Sequence, residues 1–598
     1  MLTIGGAETI LLLDDAGRGD GGAMLLRAPE RIIVAHQPHE VAPALAAIEQ
    51  ARDSGLWAAG FFAYELGYLL EPKLAPLLPA ARDVPLLWLG LFRSAERLDA
   101  AAVTRLLPPA GEASIRDIRP SVDRAAYRAA FAQARVLIAA GDAYQINLTM
   151  KLDFRFDGDA LALYAALRRR QRVGHGGLIV ARDFRMLSLS PELFLRIDGG
   201  RAQVRPMKGT AARAPVPAED AAVRARLQAD EKSRAENLMI VDLLRNDLGR
   251  LARPGDVRVS DLFTVETYRS LHQMTSGIEA KLRANVGLQD ILHALFPCGS
   301  VTGAPKIRAM QIIRALEPRP RGVYCGAIGL LAPGGDAFFN VVIRTLLLGP
   351  DGRGEMGIGS GVVFDSEADA EYDECLLKAA FLTRAEPPLA LIETLGWQPD
   401  GGYVLLQRHL DRLTASAAWF ALPCDVDAVR AALAAVAGSF GDAPMRVRLL
   451  LDEDGAITVA AEPLPEPRTA PLRWRFASWP VSSRDPFLYH KTTRRALYDA
   501  ELAQARTEGC DEVLFRNERG ELTEGAWSNL FVRRGGRLLT PPVACGLLDG
   551  TLRRELLDSG AAEERVLRPE DLVGTEAILF GNSVRGLMPA EAPASHAT

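Results

Sequence analysis

Ile10-Leu11-Leu12-Leu13 and Arg31-Ile32-Ile33-Val34 are short apolar runs, and an alanine-rich stretch from Val41 to Gly55 follows them before Gly60-Phe61-Phe62-Ala63-Tyr64-Glu65-Leu66-Gly67-Tyr68. Apolar runs of four to eight residues read as strands, and a longer run with helical spacing reads as a helix. Strand and helix text mixed in this way indicates an α+β domain with an antiparallel sheet.

Working outward, Pro120 to Ala140 reads as a helix capped by Ser121 or Asp123 and ended at Gly141-Asp142. Ala229 to Leu251 reads as a second, with apolar residues at 238, 241, 244, 248 and 251 forming its buried stripe and Glu236 and Arg245 at the edges. A helix carrying Glu371 to Arg384 stops at Glu386-Pro387-Pro388, because proline ends a helix and restricts the residue before it. Strand text resumes at Leu389-Ala390-Leu391-Ile392-Glu393-Thr394, which places a domain boundary near 386 and gives domains 1–385 and 386–598. A chain of 598 residues is too long for one core, so two or more domains are expected.

Hydrophobic residues make up 48% and charged residues 24%, the balance of an ordinary globular protein, and a net charge of −5 offers no basic field for nucleic acid. No apolar run approaches 18 residues and no cationic leader precedes one, so no membrane span is expected and the cytoplasm is the expected compartment. The six cysteines are scattered without zinc-site spacing and read as reduced thiols.

Several blocks carry chemistry: Ser190-Pro191-Glu192-Leu193-Phe194, Pro206-Met207-Lys208-Gly209-Thr210, Arg234-Ala235-Glu236-Asn237-Leu238, Gly303-Ala304-Pro305-Lys306 and the Gly60–Tyr68 run. Together they resemble the chorismate-utilising enzymes over about residues 1 to 385. A lysine at 208 is similar to aminodeoxychorismate synthase component I, whereas anthranilate and isochorismate synthases usually carry alanine there. The resemblance implies a β/α/α/β sandwich and an amination of chorismate. It implies Lys208 as a nucleophile at C2, which requires a neutral amine, and Glu192 as the acid for the departing C4 hydroxyl. Glu236, Glu371 and Glu374 match magnesium-binding positions, Glu236 and Glu374 directly and Glu371 through water; hard oxygen ligands suit Mg²⁺, and Glu371 and Glu374 share one helical face.

Gln145 stands where the water-activating relatives carry lysine, and a neutral amide is no base. Ammonia is therefore favoured over water. His272 falls at an active-site histidine, Arg344 offers a fork for a carboxylate, and Thr302, a glycine-rich loop over Gly357-Ile358-Gly359-Ser360-Gly361 and Lys378 complete the expected substrate contacts. Pro297-Cys298-Gly299-Ser300 departs from the usual PGGS, and cysteine at 298 restricts the backbone more than glycine does. No glutaminase signature is visible, so ammonia is expected from a separate glutamine amidotransferase subunit or from free ammonium.

From Leu391 onward, Arg408-His409-Leu410-Asp411-Arg412-Leu413, Tyr489-His490-Lys491-Thr492, Leu522-Thr523-Glu524-Gly525 and Leu548-Asp549-Gly550-Thr551 resemble the class IV, branched-chain-aminotransferase-like fold, which has two subdomains. Aminodeoxychorismate lyase belongs to it. The likeness implies pyridoxal 5′-phosphate bonded to Lys491, which then serves as base, with Glu524 on the pyridine nitrogen. Arg412, Gly550 and Thr551 would take the phosphate at a helix start, and a homodimer through this domain is implied. Together the halves imply 4-aminobenzoate synthesis from chorismate for folate. The alternatives are an anthranilate synthase-like first domain and a branched-chain or D-amino-acid transaminase-like second domain.

Overall fold

The structure, a computed structural model, describes residues 9–15, 22–108, 113–268, 271–382, 389–466 and 470–591. The expected boundary at 386 lies outside the described residues. The chain divides into two compact units, Met1–Ala211 with Arg226–Ala385, and Ala212–Ala225 with Glu386–Thr598.

Among the described residues the first unit holds two ten-stranded sheets. In one, Gln145–Asp157 lies between Gly303–Ala304 and Arg353–Val362; in the other, Met207–Ala212 is an edge strand beside Leu271–Leu282. Leu11 and Leu13 of the first sheet pack with Phe61 and Ile328 of the second, so the sheets bury an apolar face against each other. Helices Pro38–Asp53, Glu231–Gly249 and Leu288–Leu295 cover the outer face of the second sheet. Arg124–Ala139, Ala160–Arg170 and Lys306–Leu316 cover that of the first. The α+β sandwich stands, but its layers run helix, sheet, sheet, helix rather than β/α/α/β, because each sheet has two apolar faces to bury.

Local signals explain the helices. Asp123 caps Arg124–Ala139 by accepting from Ala126 N, and Asp230 caps Glu231–Gly249 by accepting from Ser233 N. The buried stripe of the latter is Asn237, Ile240, Val241, Leu244 and Leu248, and Leu238 is 49% exposed. The stripe is rotated from the expected one because Asn237 turns inward to accept from Ser276 Oγ at 2.6 Å. Glu371 and Glu374 lie on Ala368–Leu377, shorter than the helix expected to reach Arg384.

The second unit has two subdomains. A four-stranded antiparallel sheet, ordered Gly402–Tyr403, Leu391–Gln398, Met445–Leu451, Ile457–Pro463, packs on helices Leu406–Phe420 and Val426–Ala437. A mixed eight-stranded sheet carries Leu522–Gly525 and Asn529–Arg534. Lys491 lies between Leu472–Phe476 and Glu512–Arg516, two strands of that larger sheet, and its carbonyl accepts from Ile392 N of the smaller one at 2.8 Å. Ala212–Ala225 belongs to this unit: Arg213 ion-pairs with Asp220 at 2.7 Å, covers the Trp419 ring at 4.5 Å and donates to Trp419 O at 3.0 Å. Trp419 in turn lies tilted against the ring of His490, the neighbour of Lys491, with ring centroids 4.8 Å apart.

Candidate active sites

Lys208 projects from the edge strand Met207–Ala212, whose Gly209 has a φ of +78° without ending the strand. Burial pulls its ammonium below the usual lysine value, against the attraction of Glu236, Glu192 and Glu374. Gln145 begins the central strand of the other sheet. A side chain at Gly361 would lie 2.6 Å from Gln145 Nε2 and 3.3 Å from Lys208 Nζ, so the glycine leaves room for both groups on one spot. Both polar atoms of the Gln145 amide are buried without a hydrogen-bond partner among the described residues. A buried amide without a partner costs about 1–3 kcal/mol, which a ligand between Gln145 and Lys208 would recover.

Glu192 is buried, and burial raises its carboxyl to about 7 against the pull of Ser300 and Lys208. Ser300 Oγ donates to Glu192 Oε1 at 2.6 Å, and Lys208 Nζ donates to Ser300 O at 3.5 Å. Acid and amine therefore share one turn. Cys298 has φ −58° and ψ 133°, a conformation open to any residue, so the cysteine does not distort this turn.

Gly359, Ser360 and Gly361 lie in strand Arg353–Val362 rather than in a loop. They pair with Thr149, Leu148 and Asn147, and beyond Met356 no strand pairs with their other edge among the described residues. Lys378 donates to Gly359 O at 2.8 Å. The Ser360 hydroxyl instead meets Tyr127 OH at 3.1 Å, and that of Thr302 donates to Cys298 O at 3.0 Å. Both side chains hold the frame. His272 is buried with Nδ1 3.0 Å from Thr267 Oγ1. Arg344 has φ +49°, a strain of roughly 1–3 kcal/mol that recurs at functional sites. Burial lowers its guanidinium, and no carboxylate pairs with it among the described residues.

Burial raises the Glu236 carboxyl, and Glu371 and Glu374 act on it in the same direction, so the three acids lie within electrostatic reach. Among the described residues no group of three acids or histidines closes into a metal cage, and Glu374 is held by Lys378 at 2.7 Å. The donor set suits a hard cation in its chemistry.

In the second unit a cavity of about 1060 Å³ is lined by Lys491, Arg412, Glu524, Gly550, Thr551 and Arg448. Burial, with Arg412 second, lowers the Lys491 ammonium to about 8. Burial raises the Glu524 carboxyl to about 8 although Leu548 N and Tyr498 OH both donate to it at 3.1 Å. Such a carboxyl, already proton-loaded, suits a partner base such as a pyridine nitrogen. Gly550 precedes helix Thr551–Asp558, and a side chain there would collide with Asn529 Oδ1. Arg412 is held by Glu393 at 2.6 and 3.0 Å, and Glu393 also meets His409 Nδ1 at 2.6 Å. These donors, with the helix start at Thr551, suit a phosphate. Sequence reasoning missed Glu393, Ser300 and Asn529; a lone acid in the apolar run Leu391-Ile392-Glu393 was the available signal for the first.

Residues 16–384 match the chorismate binding enzyme family. The chain belongs to that family. Residues 390–592 match amino-transferase class IV. Aminodeoxychorismate synthase component 1 of Salmonella typhimurium is 37% identical over 340 residues, 53% of this chain and 74% of the relative. Its counterpart from Klebsiella aerogenes is 43% identical over 256 residues, 43% of this chain and 56% of the relative. The chain thus spans little more than half the length of some of the curated relatives it matches. Anthranilate synthase component I from Streptococcus pneumoniae is a solved structure 26% identical, with a TM-score of 0.51, covering 64% of this chain and 94% of that one. No helix among the described residues is long and apolar enough to cross a membrane.

Proposed function

We propose that this chain converts chorismate and ammonia to 4-amino-4-deoxychorismate and water in its first unit, and splits that product to 4-aminobenzoate and pyruvate in its second. The juxtaposition of Lys208 and the unpartnered Gln145 amide at Gly361 supports the first step most directly. Burial leaves more of the Lys208 amine neutral, ready to add at C2 of the ring. As it adds, Glu192, whose pKa of about 7 keeps it partly protonated at neutral pH, gives its proton to the departing C4 hydroxyl, which leaves as water. Ammonia then adds at C4 and Lys208 leaves C2. Gln145 cannot deprotonate water, so hydration does not compete through it. Arg344 supplies a cation for one substrate carboxylate. Glu236 and Glu374, with Glu371 through water, are the residues that would hold Mg²⁺, which would screen the substrate's negative charge.

In the second unit, pyridoxal phosphate supplies an electron sink for the carbon bearing the new amine. Lys491 takes the proton from C4 of the substrate, and pyruvate then leaves from C3 as the ring becomes aromatic. Glu524 would hold a proton at the pyridine nitrogen, while Arg412, Thr551 and the Gly550 turn would bind the phosphate.

The relatives are named component 1, and we assign the ammonia supply to a separate glutamine amidotransferase. A homodimer through residues 386–598 is the assembly that the class IV likeness supports. The test is incubation of the purified chain with chorismate, ammonium, Mg²⁺ and pyridoxal phosphate. Lys491→Ala is expected to accumulate aminodeoxychorismate and Lys208→Ala to form little of it. Full 4-aminobenzoate synthesis by Lys208→Ala would overturn the reading, as would glutamine consumption by the chain alone for the assigned ammonia source.

A further inference from the structure

We infer that Cys298 is a positioning residue for the acid Glu192, acting through the Ser300 hydroxyl; the inference rests on the amination proposed for the first unit. The geometry is a three-member line. Cys298 Sγ lies 3.1 Å from Ser300 Oγ, and Ser300 Oγ lies 2.6 Å from Glu192 Oε1. All three side chains are buried.

A serine hydroxyl has one proton and two acceptor sites. With its proton committed to Glu192, Ser300 receives a donor only if the thiol points its proton at Oγ. Cys298 is oriented for this: its φ of −58° is unstrained, and its backbone carbonyl accepts from Thr302 Oγ1 at 3.0 Å, which fixes the turn. Burial holds the Cys298 thiol protonated, its pKa pushed up to about 12, so it remains a donor at every working pH.

The consequence falls on the acid step. When the C4–O bond breaks, the proton of Glu192 passes to the departing oxygen, water forms, and a buried carboxylate is left behind. Ser300 then donates to that carboxylate, and the Cys298 donor both locks the serine rotamer and polarises its O–H, since chained hydrogen bonds strengthen one another. No bond to sulfur forms and no electron moves. The charged neighbours from the surrounding elements are few. Lys208, on strand Met207–Ala212, acts on the carboxyl directly. Lys306, on helix Lys306–Leu316, reaches the thiol but is tied to Asp247 at 2.7 Å. Val341 N donates to the Glu192 carbonyl and the Glu192 N–H donates to Ser190 Oγ at 3.2 Å, while the Glu192 carboxyl takes its hydrogen bond from Ser300 among the described residues. A glycine at 298 would leave this line without its first donor.

The test is the pH profile of aminodeoxychorismate formation for wild type, Cys298→Ala, Cys298→Ser, Ser300→Ala and the Cys298→Ala/Ser300→Ala pair. Removing the thiol weakens the carboxylate's support, so the basic limb set by Glu192 is expected to move to higher pH. A shift of about half a unit, a threefold change in proton affinity, is what one modest hydrogen bond carries. Cys298→Ser keeps a donor and restores the limb. In the Ser300→Ala background, Cys298→Ala changes nothing further. An unmoved limb in Cys298→Ala, or an equal shift with and without Ser300, overturns the inference. Difference infrared titration of the Glu192 carboxyl band, assigned by its loss in Glu192→Gln, reads the same shift without turnover. An inactive wild type would thus count against the proposed reaction, while the band still decides the role of Cys298.

Discussion

Glu393→Gln removes the charge that holds Arg412, the arginine proposed for the phosphate of the second unit. Glu393 is 3% exposed and accepts Arg412 Nη2 at 2.6 Å, Arg412 Nε at 3.0 Å and His409 Nδ1 at 2.6 Å. Burial pushes the carboxyl up, but Arg412 and His409 outweigh it and hold it at about 2 against an ordinary 4.5. At about 1.4 kcal/mol per unit, that drop is worth about 3 kcal/mol. The value agrees with the 3–5 kcal/mol lost when one partner of a buried pair is removed. A carboxyl with a lowered folded pKa contributes fully above 4.5 and loses its contribution as pH falls through about 2, so all of it is present at pH 7. For a unit of this size about 2–4 °C accompanies each kcal/mol, giving a fall of about 6–12 °C. Calorimetry at pH 7, following the transition that pyridoxal phosphate raises, measures it, and the cofactor titration is expected to weaken in parallel. A fall below about 2 °C with unchanged cofactor affinity would refute the reasoning.

Three further outcomes are expected. Gly550→Ala, whose methyl would collide with Asn529 Oδ1, is expected to lower pyridoxal phosphate affinity at least tenfold by absorbance titration, and an unchanged titration contradicts the assigned phosphate turn. Glu524 at about 8 and Glu512 at about 7 bind protons more tightly folded than unfolded, so their contribution is full below 4.5 and is lost as pH rises through 7 to 8. Melting of the second unit is therefore expected to fall between pH 5 and 8, with a shallower slope in Glu524→Gln, and an identical slope opposes the assignment. Asp220→Ala removes the carboxylate beside Arg213, whose guanidinium covers Trp419, and about 3 kcal/mol of destabilisation is expected, read as the same melting transition moving down; no movement contradicts the packing described.

Much of this was legible because the residues proposed to do the chemistry sit in short, local blocks. Lys208, Glu192, Lys491 and Glu524 were each expected from their immediate text, and the structure buries all four or shields their charged atoms. The helix capped by Asp123 was readable for the same local reason. What was not legible depended on distance in sequence. Ser300 reaches Glu192 across 108 positions, and Glu393 reaches Arg412 only once strand Leu391–Gln398 and helix Leu406–Phe420 pack together. The layer order of the first unit needed the pairing of Leu13 with residues such as Ile328, which no periodicity reports. Placement of Arg213 against Trp419 is likewise a contact across 206 positions. Gly359-Ser360-Gly361 read as a loop because glycine usually marks one, yet Gly361 serves to admit Gln145 and Lys208 within a strand.

The most direct measurement is chromatography and mass analysis of the aromatic product formed by the wild-type chain from chorismate and ¹⁵N-ammonium with Mg²⁺ and pyridoxal phosphate. The account predicts 4-aminobenzoate carrying one ¹⁵N, with pyruvate released in equal amount. Labelled 2-aminobenzoate, or isochorismate without label, would contradict it.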